Sequence, residues 1–90
     1  MTQPNFAPEA RAALLKIYES DDEPLSNMYD YWFDILQANP SDPRVRRHRH
    51  GIVDAWLIYV EIPGRPGRHA IEWRQVNDTV DVLYVGPWKN

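Results

Sequence analysis

Apolar side chains recur at steps of three and four in the first half of the chain and at steps of two in the second half. Ala10, Ala13, Leu14, Ile17 and Tyr18 share one face of a helix, with Glu9, Arg11, Lys16 and Glu19 elsewhere on its circumference. Pro8 suits a first helical turn, and Glu9 complements the positive end of the helix dipole. The spacing predicts a helix from Pro8 to about Glu19. The Ser20-Asp21-Asp22-Glu23-Pro24 cluster reads as a turn that supplies N-cap candidates for a second helix. That helix carries the stronger stripe: Leu25, Met28, Tyr29, Trp32, Ile35 and Leu36. Asn39-Pro40-Ser41-Asp42-Pro43 ends it, because the residue before each proline is pushed toward extended geometry.

Past this break the period changes. From Ala55 to Ile62, Trp56, Ile58, Val60 and Ile62 alternate with Ala55, Leu57, Tyr59 and Glu61, and both faces are largely apolar, as in a central strand. Pro63-Gly64-Arg65-Pro66-Gly67 reverses the chain. His69 to Val76 sets Ile71 and Trp73 opposite Glu72 and Arg74, Asn77-Asp78 fits a two-residue hairpin turn, and Thr79 to Val85 is the last strand. Short connections predict one α+β domain over residues 1–90, a helical hairpin packed on a three- to four-stranded antiparallel meander sheet.

Composition narrows the chemistry. The chain has no cysteine, which excludes disulfides, thiolate metal sites and thiol nucleophiles, and fits a reducing compartment. No basic leader followed by an apolar run stands at the N-terminus, and no stretch approaches a membrane span, so the expected location is cytoplasmic without membrane contact. The net charge of −3 hides a split. Residues 1–43 hold two basic and eight acidic side chains, whereas residues 44–90 hold eight basic and five acidic. The densest polar feature, Arg44-Val45-Arg46-Arg47-His48-Arg49-His50, gives an extended segment a phosphate-seeking edge. The same residues also suit a solvated connector or a grip on acidic protein.

Several strings, in this order, resemble the RelE/ParE superfamily of bacterial toxins. Phe6-Ala7-Pro8-Glu9-Ala10, followed by Leu14 and Ile17, is similar to the family's strand-to-helix opening. Asn39-Pro40 falls where its second helix closes. Trp56-Leu57-Ile58-Tyr59-Val60 resembles its first meander strand, and Val82-Leu83-Tyr84-Val85-Gly86 its last. The resemblance implies a RelE-like fold and one component of a type II toxin–antitoxin pair, with a cognate antitoxin protein as partner. It further implies a ribosome-dependent mRNA endoribonuclease, or else a catalytically silent module that recognises protein, as in the gyrase-directed branch. The ribonuclease branch follows Val-Gly with His or Lys, Arg and a nearby Tyr, where this chain has Pro87-Trp88-Lys89-Asn90. An arginine of its middle strand would fall about Ala70, beside Arg68 and His69.

Metal-independent RNA cleavage needs a general base, a general acid and a cation facing the phosphorus. Imidazole is the side chain suited to proton transfer near neutral pH, which offers His48, His50 or His69; Glu61 or Glu72 can accept a proton, and Arg47, Arg49, Arg68 or Arg74 can stabilise the phosphorane. The candidate catalytic set is Arg47, Arg49, His50, Arg68, His69 and Arg74, and the candidate RNA contacts are Arg44, Arg46, Arg47, His48, Arg49 and Lys89. No cofactor is expected. A zinc site formed by His48, His50 and His69 has no carboxylate or thiol at a supporting spacing, so no metal is expected either. Tyr29, Trp32, Phe33, Trp56 and Trp73 read as core, and Trp88 either covers the sheet or stands exposed.

Overall fold

The structure, a computed structural model, describes residues 4–51 and 54–89. Two helices lie across one face of a five-stranded sheet, giving an α+β architecture consistent with a RelE-like topology. In chain order the elements are β1 (Asn5–Phe6), α1 (Pro8–Glu19), α2 (Glu23–Ala38), a 3-10 turn (Pro43–Val45), β2 (His48–His50), β3 (Ala55–Val60), β4 (His69–Val76) and β5 (Thr79–Pro87). The spatial strand order is β1-β5-β4-β3-β2.

Both helices begin as the residue pattern dictates. Pro8 occupies the first turn of α1, and the Asp22 side chain caps α2 by accepting from the Leu25 amide at 3.3 Å. Asn39, just before Pro40, ends α2 in extended geometry. The apolar stripes meet the sheet in one core that includes Ala10, Ile17, Leu25, Tyr29, Phe33 and Leu36 from the helices and Ile58, Ile71, Trp73 and Val82 from the strands. Tyr18, read from its spacing as part of that core face, instead stands exposed and donates from its hydroxyl to Asp30 at 2.6 Å. Partial burial and the neighbouring Asp30 carboxylate push its pKa up.

The expected helical hairpin on an antiparallel meander is what the structure has, with two short edge strands extending the sheet to five. The β3-β4-β5 meander is present, but β2 adds an antiparallel edge beside β3, and β1 adds a strand parallel to β5. Neither addition shows as apolar alternation, because β1 is two residues long and β2 reads His48-Arg49-His50. Their backbone groups find partners on the sheet edges nonetheless, and the Ala7 amide extends the β1 ladder by donating to the Val82 carbonyl at 2.9 Å. Within the β4–β5 hairpin, Asn77 takes a left-handed φ of 56° in the two-residue turn, and a β-bulge interrupts the register at Glu72/Trp73. Among the described residues, no helix is long and apolar enough to cross a membrane.

Candidate functional site

The helices cover one face of the sheet and leave the other open, so alternation along each strand decides which side chains meet there. The basic segment reaches the sheet through two anchors. The Asp42 carboxylate accepts from the Arg44 amide at 2.9 Å and from its guanidinium at 2.8 and 3.0 Å. The Arg44 guanidinium holds the Asp42 carboxyl below the usual range, at about 2. The Val45 side chain is fully buried, and its carbonyl accepts from the Trp73 indole N–H at 3.1 Å. From this fixed turn the chain enters β2, where His48 pairs with Leu57, Arg49 with Trp56 and His50 with Ala55. Strand alternation sends His48 and His50 to the open face and Arg49 to the helix side.

On the open face the cross-strand row His48, Leu57, Glu72 and Tyr84 runs over four strands. His50 Nδ1 donates to Glu72 Oε2, so the carboxylate orients the ring. Trp88 closes on this pair, with its ring edge-on to both His50 and Tyr84 at centroid distances of 5.5 Å. Its amide donates to the Arg68 carbonyl at 3.0 Å, carrying the ladder past the end of β5, and it lies half-buried over the sheet. The Tyr84 hydroxyl donates to the Pro87 carbonyl. Next along the face, His48 packs on Tyr59 at 4.8 Å between centroids, and the Arg68 guanidinium lies 3.8 Å from the Tyr59 ring centre. The result is a wall of imidazole, carboxylate, guanidinium and aromatic groups over a floor of Ala55, Leu57 and Ala70, all buried.

The candidate residues thus divide among several places. His48, His50 and Arg68 converge on the open face together with Glu72. His69 points to the helix side, where its Nδ1 lies 3.2 Å from the hydroxyl of fully buried Tyr29. Burial lowers the His69 pKa, and burial raises that of Tyr29. With His69 on the far side, the three histidines do not share a face, and no three metal-binding side chains cluster among the described residues. Arg46, Arg49 and Arg74 line a cleft at the Trp56 end of the sheet. Arg47 borders a groove at the β2 edge with Trp32, His48, Tyr59 and Glu61. Arg44 is turned back onto Asp42, and Lys89 is exposed beyond Trp88.

Two members of the open-face cluster, Tyr59 and Tyr84, were not singled out by sequence reasoning. Tyr59 is visible in the alternation of Ala55-Trp56-Leu57-Ile58-Tyr59, which places it with Leu57 opposite the core-facing Ile58. Tyr84 is harder to find, because unbroken pairing from the Asn77-Asp78 turn sets Leu83 against Glu72. The bulge substitutes Tyr84.

No family model, no curated protein and no solved structure matches the chain in comparisons with known proteins.

Proposed function

We propose that the chain is a RelE/ParE-like component of a toxin–antitoxin pair whose open sheet face cleaves RNA without a metal. One observation carries this reading: the His50–Glu72 pair lies on the sheet face the helices leave bare, with His48 two residues away on the same side. The helix–sheet outline and the Val85-Gly86 strand end add to it.

In this reading Glu72 orients His50, and the free Nε2 removes the proton from a ribose 2′-hydroxyl. The 2′-oxygen attacks the adjacent phosphorus, the bond to the 5′-oxygen breaks, and His48 gives its proton to the departing oxygen. The products are a 2′,3′-cyclic phosphate and a 5′-hydroxyl end. Residues two apart on a strand are separated by about 6.7 Å, room for a phosphate between base and acid. Arg68 faces the charge that builds on the phosphoryl oxygens, and Tyr59 and Trp88 offer faces for bases.

Induction in bacteria, with growth, protein synthesis and 5′-hydroxyl mRNA ends as readouts, tests the proposal. Growth arrest with new mRNA ends is expected, and His50→Gln is expected to lower cleavage about a hundredfold or more. A folded chain that is harmless and cuts no ribosome-bound mRNA sinks the enzymatic reading. A second reading then stands, a catalytically silent module that recognises protein through this face. What favours it is that Trp88 already packs against His50, and that the Tyr84 hydroxyl is committed to Pro87. In either reading a cognate antitoxin covers the open face.

A further inference from the structure

Arg49 and His50 are neighbours in β2 yet face opposite sides of the sheet, so the arginine-rich segment builds a second site away from the His50–Glu72 pair. At the Trp56 end of the sheet, Arg46, Arg49, Asp54, Trp56, Arg74, Gln75 and Asn77 surround an open cleft of about 320 Å³. The guanidiniums of Arg49 and Arg46 stand 4.6 and 5.5 Å from the Trp56 ring centre, and Arg46 is also 5.6 Å from Trp73. Arg46 is held by neutral acceptors, the Pro40 carbonyl and Gln75 Oε1, both at 2.7 Å. Among the described residues it has no carboxylate partner. Arg49 pairs with the highly exposed Asp54, and Arg74 reaches Asp81 only at 3.9 Å.

Two guanidiniums, those of Arg46 and Arg49, therefore stack over Trp56 with one close carboxylate, Asp54, and Arg74 lines the same cleft from β4. Aromatic stacking and neutral acceptors hold Arg46, whereas Arg49 stacks on the same ring and pairs with Asp54. A tetrahedral oxyanion matches this arrangement, since forked N–H donors approach it from several sides and its charge offsets the excess.

We propose that this cleft is a phosphate-binding subsite, and that an RNA strand engaged on the open face crosses the β2 edge to place a neighbouring phosphate in it. The assignment to RNA rests on the function proposed above, whereas the anion site stands on its own geometry. Asp54 acts as a stand-in for the anion on Arg49, and an incoming phosphate displaces it.

Two titrations of the full chain separate these statements. In the first, inorganic phosphate at constant ionic strength is followed by NMR at the Trp56 indole N–H and the arginine Nε–H groups. A saturable shift is expected, abolished by Arg49→Gln with Arg74→Gln and reached at several-fold lower phosphate in Asp54→Asn. No saturable shift, or one unaffected by the double variant, overturns the subsite. In the second, a short single-stranded RNA is titrated at several salt concentrations by fluorescence anisotropy. The slope of log affinity against log salt is expected to fall by about 0.7 for each phosphate contact removed. An unchanged slope with phosphate binding intact overturns the strand path and leaves a free-phosphate site. Failure of RNA to bind at all overturns the RNA reading itself.

Discussion

Gly86 shows how one residue can serve both the backbone and the open face. Its φ of +148° lies where side chains are rarely tolerated, and a Cβ there would meet the Tyr84 hydroxyl at 3.0 Å. Gly86→Ala is expected to cost about 1–3 kcal/mol in urea unfolding. Gly51→Ala, with no atom within 4 Å of the added carbon, serves as the near-neutral comparison. His69 carries a different expectation. Burial lowers its pKa below the unfolded value, so across the window between the two the unfolded chain binds more protons and stability rises with pH. Melting temperatures are therefore expected to drop on acidification below about pH 6.5, less steeply in His69→Gln. Asp42 acts in a separate window. Its depressed carboxyl contributes stability above the ordinary range near pH 4, lost as pH falls toward about 2. Asp42→Asn should flatten that acid limb without altering the one near neutrality.

At the scale of elements, the two helices differ in what they bury. Leu36 of α2 is fully enclosed, and Leu36→Ala is expected to cost about 2–5 kcal/mol by chemical denaturation. Leu15 of α1 is 54% exposed, and Leu15→Ala is expected to change stability by about 0.5 kcal/mol or less. These helices were legible in the chain because Leu25, Tyr29 and Leu36 repeat at helical spacing, with Asp22 and Asn39-Pro40 marking the ends. The meander was legible for the same kind of reason, down to the Asn77-Asp78 turn. The edge strands were not, since β1 and β2 are too short to show a period. The candidate site was half legible. His50 and Arg68 stood out by chemistry, but assigning the whole basic segment one role overlooked the alternation that parts Arg49 from His50. The bulge hid the Glu72–Tyr84 pairing. A one-residue slip of β2 would exchange the two sets, bringing Arg49 to Glu72 and the histidines to Trp56.

Over the whole molecule, acidic side chains collect in residues 1–43, which hold both helices, and basic ones in residues 44–90, which form β2 to β5. The excess of each sign is thus divided between the helical half and the strand half of the chain. If the proposed RNA-directed function holds, the association rate with RNA is expected to fall as salt rises from about 50 to 200 mM although the chain is net acidic. Stopped-flow mixing with labelled RNA checks this, and an insensitive rate would place first contact elsewhere. The same division along the chain makes the molecule electrically uneven. In the RNA-directed reading proposed above, that unevenness would turn an approaching strand toward the basic half before any atom touches, and in dilute buffer it would favour successive copies lining up head to tail, a queue that physiological salt disperses.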